Sequence, residues 1–380
     1  MIHATTAGFL ATIVPLATPV NDPPSSSTVG DEGDAWLDLD REIASLNEAV
    51  TQGQNGIRVS GFLRMNYMYS EDEAFTTDFS TTPPTPGDNI SGFNLLNARL
   101  DFDGEVGDYA FHLSLDGGDA LDGTDGEFEI VDAYGVRSFY KGNIDVLMGR
   151  FKQPALYGAL VSNRYTLFFE RSINAEEVDD RELGVKLVSR LGKLELSSAV
   201  QNGVTGSDSS HQHTHRAVID LLGDPFDKYQ GSYDAAPGMN FGLAVFFADD
   251  DGIKNGNYWG AEGEFNQGAV TLHGDVIVYD EDYDSSGGAT DDVDNDDFFN
   301  FSKADTNPFT ALLSFLIGED YEIAARYADF DDSENTWKLE IGLNWYQTDR
   351  ATWKLVYTNY TSDDNEFEGD SWEVGYTLLF

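Results

Sequence analysis

From Ile57 to Phe380 the hydropathy of the chain alternates with a period of two, in one segment after another. Successive side chains of an extended strand point to opposite faces, whereas a helix returns to the same face every three to four residues. In IRVSGFLRMNYMY one face carries Ile57, Val59, Gly61, Leu63, Met65, Tyr67 and Tyr69; the other carries Arg58, Ser60, Phe62, Arg64, Asn66 and Met68. The pattern predicts sixteen strands: 57–69, 92–103, 108–117, 127–138, 143–151, 181–189, 192–201, 214–222, 239–247, 255–265, 268–280, 309–317, 320–329, 336–346, 350–360 and 371–380. Segments 143–151 and 214–222 have ambiguous faces.

Half-buried strands of a soluble sandwich also alternate, so the choice of environment needs other signs. Most segments approach the roughly nine to eleven residues with which a tilted strand crosses a bilayer. Their less apolar face keeps Arg, Glu, Asn and Gly, and aromatic residues bracket aliphatic middles, as Trp337 and Trp345 do around Leu339, Ile341 and Leu343. Rings at both ends of a strand suit the two interfaces of a membrane. Short separators such as TDRA alternate with long acidic inserts such as DEDYDSSGGATDDVDNDDFF, as turns on one rim and loops on the other would. No window offers the run of about 18 apolar residues that a membrane helix needs. The expected fold is all-β, a transmembrane antiparallel barrel of about 16 strands with a short N-terminal helix. The terminal SWEVGYTLLF then turns Trp372, Val374, Tyr376, Leu378 and Phe380 to lipid and closes the barrel against 57–69.

Charge narrows the partners. With 68 Asp+Glu against 22 Lys+Arg, the formal net charge is −46, which supplies no basic footprint for nucleic acid. There is no cysteine, so disulfides, iron–sulfur sites and thiol catalysis are excluded. Residues 1–20 contain an apolar run of signal-peptide length without a basic leader or a clean cleavage site, and read as a weak or trimmed signal segment. Residues 21–34 are a linker by composition. In 35–50, Trp36, Leu39, Ile43, Leu46 and Val50 form one apolar helical stripe, expected as a short helix that oligomerises or packs back on its own domain. The barrel domain is 57–380.

The runs GFLRMNYMY, LLNARLDFDGEVGDYAFHLSLD, VDAYGV, MGRFKQP, FFERS and DRELGVKL occur in this order. As an ordered set they resemble the phosphate-selective porin O and P family from about Ile57 to Phe380. The resemblance implies a sixteen-stranded, usually trimeric, anion-conducting porin of the bacterial outer membrane. Its partners would be small inorganic ions or hydrophilic solutes, outer-membrane lipid, and two further copies of the chain as a homotrimer.

A pore acts through its lining, constriction and field rather than through a catalytic constellation. Arg58, Arg64, Arg99, Arg326 and Lys338 fall on the predicted lumen face, with Lys354 a further candidate and Asp101, Asp103, Glu322 and Glu340 as acidic companions. Such residues either select solute or pair with one another to brace the wall. Arg150 and Lys152 stand where a strand gives way to 153–180, an insert too aromatic and aliphatic for disorder. It is expected to fold inward and narrow the pore, with Arg164, Glu170 and Arg171 at the constriction. No lysine-rich lumen stretch accompanies these residues, so anion, cation and non-selective diffusion all remain open. The Asp-rich inserts match no calcium-loop pattern and read as solvated loops. HQHTH, with His211, His213 and His215, reads as a loop between strands, and no metal or cofactor is expected. An outer-membrane enzyme would need a nucleophile beside a positioned histidine, and the six histidines show no such spacing. The other alternative is a non-conducting structural or surface-binding barrel whose acidic loops attract cations.

Overall fold

The computed structural model describes residues 56–70, 90–118, 128–203, 211–250, 256–281, 283, 305–332, 335–363 and 369–380. The expected helix at 35–50, the linker, the signal-like segment and most of the Asp-rich insert lie outside the described residues.

Sixteen antiparallel strands close into one barrel. They are β1 (Arg58–Ser70), β2 (Ile90–Val106), β3 (Tyr109–Asp116), β4 (Glu129–Phe139), β5 (Ile144–Lys152), β6 (Arg181–Leu191), β7 (Leu194–Asn202) and β8 (His211–Leu222). The second half comprises β9 (Met239–Asp250), β10 (Gly256–Gln267), β11 (Val270–Tyr279), β12 (Phe309–Ile317), β13 (Tyr321–Asp329), β14 (Trp337–Thr348), β15 (Ala351–Thr361) and β16 (Gly369–Leu379). Each strand pairs with its sequence neighbours, and β16 pairs with β1 from Phe62↔Leu379 to Ser70↔Ser371. Closure leaves no sheet edge to protect in the hydrocarbon. Phe380 locks the seam: its N–H donates to Gly61 O at 3.1 Å and its carbonyl accepts from Gly61 N at 3.0 Å. A Cβ on Gly61 would stand 2.6 Å from the Phe380 ring, so the glycine admits the aromatic terminus.

The outer surface is apolar and banded. Leu313, Phe315, Ile323, Ile341, Leu343, Leu355, Val374 and Leu378 are exposed. Tyr321, Trp345, Trp353 and Tyr376 stand opposite one another across β13–β16 and form a ring row near the rim where β16 ends. Tyr357 and Trp372 pack at 4.8 Å near the other rim. This is the belt that lipid requires, and Trp372, Val374, Leu378 and Phe380 of the C-terminal segment lie exposed within it.

On the rim where β1 begins and β16 ends, six of the strand connections are two to four residues long. Four of them turn at Gly107, Gly192, Gly268 and Gly318, each with φ between 61° and 69°, a region a side chain disfavours. The seventh connection, 223–238, is long. The strand β8 corrects the reading of HQHTH as a loop, because the run opens the strand. Its Gln212 and Thr214 are buried inward while His211 and His215 are exposed outward. His215 pairs with Phe247, and Phe247 with Trp259, so His213 and its partner Asp249 stand one layer beyond the aromatic level. There the outer face meets water, and polar residues break the apolar alternation without ending the strand.

Candidate conduction pathway

The link from β5 to β6 enters the barrel. It carries two short helices, α1 (Tyr157–Leu160) and α2 (Ile173–Glu177), the second capped by Ser172 Oγ accepting from Ala175 N at 3.3 Å. One apolar face of the segment (Ala155, Leu156, Ala159, Ala175 and Val178) packs on Phe246, Tyr258, Ile277 and Tyr279 of β9–β11. Another, Leu167 to Phe169, packs on Leu312, Ala324 and Val356 of β12, β13 and β15. The insert therefore covers the β9–β16 half of the inner wall.

Irregular backbone at membrane depth must find hydrogen-bond partners in the protein. Here the inner-wall cations supply them. Lys354 Nζ donates to Thr166 O at 2.5 Å, and Asn344 Nδ2 donates to Leu167 O at 3.1 Å. Arg64 donates to Phe169 O and, at 2.8 Å, to Asn97 Oδ1. Arg326 donates to Glu170 O at 3.1 Å while gripping Glu340 in a fork at 2.5 and 2.7 Å. Lys338 Nζ donates to Glu170 Oε2 at 2.9 Å. Opposite them, Glu262 accepts from Tyr157 N at 2.7 Å and pairs with Arg216 at 2.5 Å. The Lys338 ammonium holds the Glu170 carboxyl below its ordinary value.

Arg171 staples the insert internally, donating to the carbonyls of Gly158 and Val161 and to Asn163 Oδ1, and pairing with Asp179 at 2.7 Å. Lys152 and Arg181 also pair with Asp179. Burial alone would raise the Asp179 carboxyl, but the three cations hold it below its usual range.

The candidate residues thus separate into groups. Arg64, Arg326, Lys338, Arg171 and Lys152 anchor the insert, with Glu170 as the acceptor of Lys338. Arg58 opens β1 at an exposed position. Arg150 is a correction: it is exposed on the outward face beside Met148 and opposite the exposed Leu183, not on the lumen. The inward positions of β5 are taken by Leu147 and Phe151, which pack with Tyr134, Val136 and Ala199. With apolar residues on both faces, hydropathy could not set the phase of this strand.

Arg99 belongs to β2, and Arg164 reaches from the insert to the same strand. Arg99 pairs with Asp116 at 2.7 Å, and Arg164 with Asp101 at 2.5 Å, with Arg164 also 4.8 Å above the Phe62 ring. Nearest the turns of β2–β7, inward charges remain in contact with water. The side chains of Asp103, Arg190 and Glu195 are 34%, 33% and 40% exposed. On the covered wall, Arg326 and Lys338 are 1% and 4% exposed. The insert thus leaves most of the wall along β2–β7 uncovered. The cations of that wall are mostly neutralised: His112 contacts Asp103 at 2.8 Å, and Arg190 pairs with Asp145 at 2.5 Å and Glu195 at 3.1 Å.

Lys186 is the exception. It is the inward-facing cation that has no hydrogen bond or ion pair among the described residues, and its ammonium lies 5.0 Å from the Phe151 ring. It was not a sequence candidate, although the alternation of Glu182, Gly184, Lys186 and Val188 in DRELGVKLV places it inward. Residues 223–238 were also missed. They fold into the barrel from the rim where β1 begins and β16 ends; Phe226 N donates to Glu264 Oε1 at 3.0 Å and Tyr233 stacks on Tyr346 at 3.7 Å. Their signal was the aromatic content of PFDKYQGSY inside a stretch rich in Gly, Pro and Asp.

The sequence profile described as phosphate-selective porin O and P matches residues 70–238, so the resemblance holds over that span. No curated protein sequence matches the chain significantly. Among solved structures, an anion-selective porin from Comamonas acidovorans superposes with a TM-score of 0.59 at 15% identity, covering 86% of this chain and 100% of that one. A loop-deletion mutant of OmpT, an outer membrane protein of Vibrio cholerae, gives 0.58 at 11% identity, covering 86% and 100%. A mutant of the Rh. blastica porin gives 0.54 at 14% identity, covering 85% and 100%. At these identities the structural likeness carries the fold alone. The matched family and the lipid-belted barrel make this a protein of the bacterial outer membrane.

Proposed function

We propose, with the partial porin-family match as premise, that the chain is a non-enzymatic channel for passive diffusion of small hydrophilic solutes and ions, with a weak preference for anions set at Lys186. The observation that carries this reading is the division of the interior. One half of the wall is covered by the insert, whereas charges nearest the turns of β2–β7 keep contact with water. Lys186 is the group there whose charge is not matched by a carboxylate contact. Phosphate is one small anion such a route would admit, but Arg64, Arg326, Lys338 and Lys354 hold the backbone or side chain of the insert and do not form a basic ladder for it. The anion selectivity named for the Comamonas acidovorans porin is in keeping with this preference. Trimeric assembly, implied by the family, belongs to the same proposal, and analytical ultracentrifugation in detergent tests it.

The second reading is a non-conducting structural or surface-binding barrel. It is favoured by the entry of chain segments from both rims. Single-channel recording in planar bilayers separates the two. Discrete conductance steps support the channel, and their absence from folded, inserted barrel overturns it.

A further inference from the structure

We infer that residues 223–238 form a second constriction, in series with 153–180 and at the rim where β1 begins and β16 ends, and that this segment sets the size limit for solutes. The inference rests on the diffusion-channel reading and adds to it the element that decides which hydrophilic solutes fit.

A connection between adjacent antiparallel strands needs only about two to five residues. The other six connections on this rim have two to four, and this one has sixteen. The additional chain runs inside the barrel along β10–β14. After the Phe226 contact with β10, Ser232 N donates to Glu322 Oε1 of β13 at 2.6 Å, and Ser232 Oγ meets Thr271 Oγ1 of β11 at 2.8 Å. Tyr233 then reaches β14, where its ring lies nearly parallel to that of Tyr346. A Cβ on Gly231 would come within 2.6 Å of Glu322 Oε1, so the backbone rests directly against the wall.

The segment is also tied to the first insert. Tyr157 Oη donates to Asp227 O at 2.6 Å and Tyr229 O at 2.9 Å. Gln230 N donates to Tyr165 O at 3.1 Å, and the rings of Tyr165 and Tyr229 pack at 4.5 Å. An ordinary surface turn would not place its backbone against inward wall acids and a second buried segment. The exposed border of the segment is the ion pair of Lys228 and Asp234, at 3.0 Å, with side chains 52% and 58% exposed.

The absence of cysteine makes a unique thiol simple to place. Single channels of Lys228→Cys are recorded before and after a bulky methanethiosulfonate reagent. In parallel, liposome swelling with sugars of graded size compares the wild type with a variant in which 226–236 is replaced by two glycines. Modification is expected to lower conductance by about two-fold or more, and excision to raise it and admit larger sugars. Tyr157→Phe, which keeps the ring and removes the tie, is expected to increase open-channel noise and covers the case in which the excised barrel does not fold.

Unchanged conductance after complete modification, with wild-type noise in Tyr157→Phe or a wild-type size limit after excision, overturns the second constriction while leaving the channel reading standing. A silent wild type with a conducting excision variant overturns the channel reading and supports 223–238 as the stop. Silence in both removes both.

Discussion

Replacing Arg326 with methionine tests whether the inner-wall cations are anchors. Arg326 is 1% exposed, holds both oxygens of Glu340, donates to Glu170 O and lies 4.5 Å over the Phe168 ring. Methionine keeps much of the packing but leaves the Glu340 carboxylate with Lys338, at 3.5 Å, as its remaining cation. Removing one partner of a buried pair costs about 3–5 kcal/mol; with Lys338 still present, the lower end, about 3 kcal/mol, is expected. Replacing both residues, as R326M with E340M, should return stability to within about 1 kcal/mol of wild type, because an apolar pair leaves no orphaned charge. Reversible urea unfolding into and out of lipid vesicles measures these differences. Open-channel noise should rise in both variants, since 166–170 loses a carbonyl tie, while the permeability ratio stays put. A single variant as stable as wild type, or a double variant no better than the single, would refute the anchoring argument.

Three further outcomes follow from the same contacts. The Lys338 ammonium holds the Glu170 carboxyl below its ordinary value, so the tie is complete above the unfolded carboxylate pKa of about 4.3 and is lost as pH falls through the lower folded value. Channel noise should therefore stay flat down to that ordinary value and rise below it, and Glu170→Gln should be noisy at every pH; a step near neutrality would contradict this. Deleting Phe380 removes both backbone bonds to Gly61 and should lower the yield of inserted barrel, read by heat-modifiable gel mobility, more than it alters the conductance of barrels that form. Gly61→Leu, which collides with the Phe380 ring and the Arg99 carbonyl, should show the same assembly defect with an intact C-terminus.

The barrel was legible because its signal is repeated and local. Each strand had to present apolar side chains to lipid at every second position, and the terminal Trp372-to-Phe380 face follows the same rule as Tyr321-to-Tyr327. The inward fold of 153–180 was legible from length and aromatic content, but the role of its neighbours was not. Arg64 and Lys354 look like pore-lining cations in any register that turns them inward; only the tertiary path of 166–169 shows carbonyl oxygens occupying their donors. Arg150 was offered as a pore candidate from its place beside the insert; β5 packs Phe151 inward and Met148 outward, so both phases look apolar and its face could not be read. Residues 223–238 carry turn-forming Gly, Pro and Asp, and local composition does not tell a loop leaving the barrel from one entering it. Lys186 stands out only once its neighbours are known to be paired.

The proposed route follows β2–β7 and takes its polarity from Lys186. Reversal potentials in a potassium chloride gradient, recorded for wild type, Lys186→Glu and the R326M/E340M double variant, test it most directly. The account predicts weak chloride preference in the wild type and the double variant, and a fall in the chloride-to-potassium permeability ratio of about three-fold or more in Lys186→Glu. An unchanged ratio in Lys186→Glu, with a large change in the double variant, would contradict it.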